Sequence, residues 1–350
     1  MATTTAKPPA DGVRGSEPET FEAILVVAFG GPEGMDDVMP FLENVTRGRN
    51  VPRERLEEVA HHYARFGGVS PINAQNRALI EALRPELAAH GVGLPVYLGN
   101  RNWHPLLVDT LREMRDAGVR RALAFFTSGF SSYSSCRQYR ENILAAQAEI
   151  GDDAPEVART RMFYNHPGFV QANAERVADA LAQVPDERRA GVHMAFTAHS
   201  IPLAMAKQSR YESQLGEAAR LVAREVGVSD HAVVYQSRSG SPHSPWLEPD
   251  VCDHIRALAE RGVTEVVVSP IGFVSDHMEV LFDLDVEARE AAEEAGVGFV
   301  RAGTAGTHPA FVAMIRELIQ ERLDPSLPRR ALGRFGPSHD VCQPGCCLSG

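Results

Sequence analysis

Three polar segments stand where apolar runs end: Thr197-Ala198-His199-Ser200 after VHMAF, Gln236-Ser237-Arg238 after AVVY, and Ser275-Asp276-His277-Met278-Glu279 after VVVSPIGFV. If the runs are parallel strands, these segments share one edge, because open α/β sheets bind ligands beyond the carboxyl ends of their strands. His199 and Glu279 would then face one cleft. A histidine at a strand end is either a metal-binding or proton-transfer group or a structurally satisfied imidazole. From Asp276 the spacing predicts a helix with Glu279, Asp283 and Glu287 recurring every four residues on one face, and Leu281, Leu284, Ala288 and Ala291 turned toward a core. Like charges so spaced raise one another's pKa, so a fold that keeps them invites a cation or a proton path. A solvated helix face has the same pattern.

Of five cysteines, Cys342, Cys346 and Cys347 fall within six residues near the C-terminal end. In a reducing compartment clustered thiols bind metal more often than they form disulfides. The spacing C-x-x-x-C-C alone leaves a cluster, a zinc site and stray thiols open. Cys252 shares a helix face with Ile255 and Ala259 and reads as core. Phe29-Gly30-Gly31-Pro32 follows an apolar run, but GGPEG lacks the third glycine of a dinucleotide fingerprint, and its acidic neighbours oppose a pyrophosphate. Ser70, just before a proline at a helix start, fits an N-cap. His61, His62 and His104 have no partner at metal-ligand spacing, and Trp246 reads equally as packing or pocket wall.

These residues need a scaffold. At 350 residues the chain is long enough for two cores. A net charge of −11 without any Lys/Arg run argues against nucleic acid, since neutralising phosphates demands a basic face. No stretch approaches the ~20 apolar residues that cross a bilayer, so an integral membrane protein is not expected. Residues 1–19 lack a signal-peptide core and read as a disordered tail, which leaves the cytoplasm as the expected compartment. The runs AILVVAF, PVYLG, RALAFF, TRMFY, VHMAFTAH, AVVYQS, TEVVVSPIGF and GFVRAG alternate with amphipathic stretches, the pattern of an α/β protein with parallel sheets. They divide into two doubly wound, Rossmann-like halves, 20–158 and 159–307, followed by a helix at 308–325 and a Pro/Gly-rich cysteine tail at 326–350.

The strings FTAHSIP and SPIGFVSDHMEVLFDLD, with LVVAFGGPEG, FGGVSPIN and YQSRSGSPHSPWLEPDV, resemble blocks of the ferrochelatase family in the same order, over about residues 22–325. The resemblance implies two chelatase-like domains with a porphyrin held in the cleft between them, and ferrous iron inserted in heme biosynthesis. It implies that His199 is iron ligand or acceptor of pyrrole protons, and that Glu279 is its partner across the macrocycle. Asp283 and Glu287 match a carboxylate row that leads protons or metal. Ser70 and Tyr139 match contacts to a porphyrin propionate or edge, and Tyr63 is a candidate of the same kind. Two positions depart from part of the family: Phe29 replaces a tyrosine over the metal, and Thr46 replaces a propionate-binding arginine, with Arg47 and Arg49 nearby.

NVTRGR, SSCRQYREN and the cysteine tail look like the actinobacterial branch. That likeness implies coproporphyrin III, with its four propionates, as the substrate instead of protoporphyrin IX. It also implies a two-iron two-sulfur cluster, which needs four thiolates: Cys342, Cys346, Cys347 and, as fourth, Cys136 at a helix start. Adjacent Cys346 and Cys347 are sterically awkward as a ligand pair, so one could stand by. Contact with neighbouring heme-pathway enzymes is a further expectation. The alternatives are a protoporphyrin IX ferrochelatase or a chelatase for another divalent ion such as cobalt or nickel, and, in another class, a non-catalytic tetrapyrrole or iron-sulfur sensor.

Overall fold

The computed structural model describes residues 20–48, 51–239 and 244–349; the 1–19 segment and Arg49 lie outside the described residues. Eight strands alternate with helices: β1 Ala23–Ala28, β2 Val96–Asn100, β3 Arg121–Phe126, β4 Glu156–Arg159, β5 His193–His199, β6 His231–Gln236, β7 Glu265–Ser269 and β8 Gly298–Arg301. They form two parallel four-stranded sheets, ordered β2-β1-β3-β4 and β6-β5-β7-β8. The two sheets repeat one topology. In each, the chain leaves the first strand toward one side and returns on the other, so the crevice of each sheet opens at the carboxyl end of β1 or β5. β1 runs into Phe29, and β5 ends on His199.

Every residue of β1 and β7 is buried. That is why they read as continuous apolar runs: a parallel sheet covered on both faces has no polar side to alternate with. The largest core cluster joins Ile24, Val26 and Phe125 of the first sheet to Met194 and Phe196 of the second. Between them pack the helices Pro167–Leu181, Tyr211–Glu225 and Pro309–Leu323. Phe163, Phe169 and Phe311 meet there with ring centroids 5.5 to 6.2 Å apart. The C-terminal helix is locked by a fully buried pair, Arg161 donating through Nε and Nη2 to Glu321 at 2.7 and 2.8 Å.

Two elements differ from their sequence signals. The fourth strand is Glu156–Arg159, one step before the apolar TRMFY. Thr160 still donates to the Ala124 carbonyl, and the chain then leaves the sheet to bury Met162, Phe163 and Tyr164 in core. The apolar run there marks burial, not pairing. The expected helix after Asp276 is a short turn, Met278–Val280, followed by a π-helix, Leu281–Ala288, and an α-helical end, Arg289–Ala295. Single π segments of this kind gather at functional sites.

Candidate active site

His199 closes β5, and its Nδ1 lies 2.5 Å from the Ser200 carbonyl oxygen. A carbonyl only accepts, so Nδ1 carries a proton, and in the neutral ring Nε2 presents the lone pair. The Tyr211 hydroxyl donates to the His199 carbonyl at 3.0 Å and holds the strand end in place. Nε2 faces Glu279 Oε2 at 3.8 Å, with the two side chains 34% and 54% exposed. The site is therefore built but open.

Asp283 follows Glu279 on the π-helix. Ser237 Oγ donates to Asp283 Oδ2, and Gln236 Nε2 donates to the same oxygen at 3.3 Å and to the Glu279 carbonyl at 3.4 Å. Ser237 adopts φ 59°, a left-handed conformation that costs a residue with a side chain roughly 1–3 kcal/mol unless its surroundings impose it. Here the strained turn aims the hydroxyl at the carboxyl. Burial, then the Glu279 charge, push Asp283 up to about 8 against those hydrogen bonds. Asp283 is thus a protonated carboxyl at neutral pH. Glu287, exposed one step further, is raised by burial and by Asp250 and Glu290.

The π-helix is clamped from both sides. Arg301 donates to both oxygens of Asp285 at 2.6 and 3.0 Å and to Asp276 at 3.2 Å. From the first half, the His62 ring stacks on Phe282 with centroids 3.7 Å apart, and Met278 packs against Val38, Phe41 and Tyr63. Gln75 accepts from the Asp276 backbone at 2.8 Å. Burial and the Glu279 charge raise the Tyr63 hydroxyl, which places this tyrosine beside the glutamate.

His199 and Glu279 do not face each other across a macrocycle. With carbon contact distances of 3.5–4.0 Å, a flat ring between them would need a gap of about 7 Å. At 3.8 Å they are neighbours on one wall, both carried by the second sheet. Any ligand that reaches both would meet them from one side.

Ser70 is buried at 3% exposure behind Gly31, and it is not the cap expected from sequence: Pro71 takes that position in the helix Ile72–Ala89, without a side-chain bond. Tyr139 is buried on the helix Gln138–Ile150, with the Arg101 guanidinium 4.5 Å from its ring centroid. Phe29 lies edge-on to Phe41 at 6.3 Å. The Thr46 hydroxyl donates to the Leu42 carbonyl at 2.7 Å, which closes its helix. Missed by sequence reasoning were the carboxyl-holding role of Gln236 and Ser237, although both follow β6 at the same edge, and Arg101, for which no spacing gave a signal.

The four cysteines expected at the tail do converge. Cys136, buried on the π-helix Tyr133–Arg137, packs in the first sheet's outer core with Cys347 and Cys346. The Cys136 thiol bonds to Cys342 and Cys347 and lowers the pKa of both, its own rising in return. Cys346 and Cys347 Sγ are 3.4 Å apart. Arg159 donates to Cys342 Sγ at 2.9 Å. His339, absent from the sequence reading, forms with Cys342 and Cys346 a group whose ligand atoms lie within 4.8 Å of one another. Cys252 lies elsewhere, on the helix Val251–Glu260 against the second core.

The ferrochelatase family model matches residues 21–323. This chain belongs to the ferrochelatase family. A ferrochelatase of Rhodopirellula baltica is 57% identical over 334 residues, 95% of each chain. The coproporphyrin III ferrochelatase of Streptomyces griseus is 51% identical over 353 residues, covering 95% of this chain and 94% of that one. That of Frankia alni is 54% identical over 340 residues, covering 93% and 86%. Among solved structures, SirB from Bacillus subtilis with Fe3+ superposes with a TM-score of 0.56 at 13% identity, over 88% of this ferrochelatase and 97% of that chain. At that identity the likeness is one of fold: two Rossmann-like, parallel-sheet halves. Among the described residues, no helix is long and apolar enough to cross a membrane.

Proposed function

We propose that this ferrochelatase inserts ferrous iron into coproporphyrin III in heme biosynthesis. The observation that carries the reading is His199 Nε2, oriented by the Nδ1–H bond to the Ser200 carbonyl and standing 3.8 Å from Glu279. A free-base porphyrin holds two N–H protons and hides its nitrogen lone pairs in a flat ring. Insertion requires bending the ring, dehydrating the iron and removing both protons. A cleft that grips the rim supplies the distortion from binding energy remote from the centre. Neutral imidazole suits a borderline divalent ion and accepts a proton near neutral pH. Glu279 beside it offsets the charge. Asp283 and Glu287 continue the row outward, so Asp283, already protonated, can release its own proton toward Glu287 and solvent and then take the one held at Glu279. Tyr63, Ser70 and Tyr139 support the porphyrin-facing wall of the first half.

Coproporphyrin III is favoured over protoporphyrin IX because relatives more than 50% identical over most of both chains carry that substrate in their names. The convergence of Cys136, Cys342, Cys346 and Cys347 fits a two-iron two-sulfur cluster, which would hold the tail against the first sheet. Such a cluster supplies a one-electron redox centre when bound. The enzyme would work in the cytoplasm, drawing substrate from neighbouring heme-pathway enzymes. An anaerobic assay with Fe(II), Co(II) and Ni(II) against coproporphyrin III and protoporphyrin IX tests the reading. Fe(II) with coproporphyrin III should be the best pair, and Fe(II) as the poorest ion would overturn the assignment.

A further inference from the structure

A porphyrin with four carboxylates meets an acidic second wall, because Glu279 and Glu287 are exposed there. The first half offers a cation to complement them. Thr46 cannot supply one, and its hydroxyl is engaged by Leu42. Arg101 stands at the right place. It follows β2 directly, and its backbone N–H donates to the Ala28 carbonyl at 3.0 Å, at the carboxyl end of β1 where the crevice opens.

The Arg101 side chain is preorganised. Its guanidinium carbon lies 5.6 Å from the Phe29 ring centroid and 4.5 Å from that of Tyr139. Its Nε donates to Asn142 Oδ1 at 2.7 Å and its Nη1 lies 3.5 Å from the Ser134 carbonyl oxygen. Contact with two rings and a fixed Nε bond remove the rotamer freedom that makes exposed cations weak anchors. With five N–H donors in a planar fork, an arginine keeps its Asn142 bond while receiving a carboxylate. Tyr139, a candidate rim contact, is buried in the outer core against Phe126 with the guanidinium over its ring, so the group offered to substrate at that spot is the cation.

We infer that Arg101 anchors a propionate carboxylate of the porphyrin and biases the cleft toward porphyrins carrying four carboxylates over those carrying two. The inference rests on the coproporphyrin reading above.

The test measures Fe(II) insertion and fluorescence-monitored porphyrin binding with coproporphyrin III and protoporphyrin IX, for wild type, Arg101→Gln and Arg101→Lys. Losing one charge-assisted bond should raise KM and Kd for coproporphyrin III about tenfold in Arg101→Gln. The values for protoporphyrin IX and kcat should change little. Arg101→Lys keeps the charge but not the fork and should fall between. A wild type that favours protoporphyrin IX overturns the substrate reading and the inference with it. A wild type that favours coproporphyrin III, with variants that keep that preference unchanged or weaken both porphyrins equally, overturns the inference alone.

Discussion

His199 Nε2 and Glu279 Oε2 lie 3.8 Å apart on one wall of the cleft, the histidine ending β5 and the glutamate in the short turn Met278–Val280 that leads into the π-helix after β7. In the proposed function, base and carboxylate would therefore act on one face of the macrocycle. The opposite face would be left to the first half, and the distortion that exposes the ring nitrogens would be directed toward the second sheet.

Glu279→Gln keeps the size and removes the charge. Loss of an acid–base partner of this kind costs roughly 10²–10⁴ in rate. The expected outcome is a kcat for Fe(II) insertion lower by about 10² with porphyrin Kd little changed, read by single-turnover and binding measurements. A rise in Kd with an unchanged kcat would make Glu279 a binding residue instead.

Asp283 gives a stability test of its own. Its carboxyl ionises near 4 when unfolded and at about 8 when folded. Between those values the folded state holds a proton that the unfolded state has lost, so stability falls as pH rises through the window and levels above it. Asp283→Asn removes that cost. Denaturant titrations should show the variant gaining on wild type by at least about 1.4 kcal/mol more at pH 8 than at pH 5. An equal effect at both values would mean that Asp283 titrates as an ordinary carboxylate.

The nearness of His199 and Glu279 was legible because each follows a strongly apolar run, and a parallel sheet brings such ends to one edge. The π-helix was not. Carboxylates every fourth residue read as an α-helix, and what surrounds the wider turn is tertiary: Arg301 on Asp285 and His62 on Phe282. The strand Glu156–Arg159 escaped notice because it is short, at a sheet edge and polar, while TRMFY beside it is apolar for core reasons. Arg101 gave no signal because its role depends on two rings, Phe29 and Tyr139, distant in sequence.

The tail is held by more than its cysteines. Glu217, fully buried, accepts from Arg220 at 2.9 Å and from the Arg334 backbone at 2.8 Å, while Asn165 donates to the Leu332 and Gly336 carbonyls. The bond from Arg220 first, and those from Arg334, hold Glu217 down at about 2. Its contribution is full above the unfolded value of 4.5 and is lost as pH falls toward 2. Glu217→Gln should cost about 1–3 kcal/mol at pH 7 and progressively less below pH 4 in the same titrations. A pH-independent cost would point to lost packing.

The cysteine site predicts colour. Cys342→Ser and Cys347→Ser should each abolish the visible absorbance and bound iron of protein purified without air, as should deletion of residues 336–350. Insertion chemistry in the cleft should change less than stability does. Absorbance unaltered by all three changes would show that no cluster sits there.

The central claim is that His199 carries metal insertion and not merely porphyrin binding. Single-turnover Fe(II) insertion into coproporphyrin III by His199→Ala, with porphyrin affinity measured on the same preparation, tests it most directly. The account requires insertion to fall to background while Kd stays within about threefold of wild type. Near wild-type insertion by that variant would contradict it.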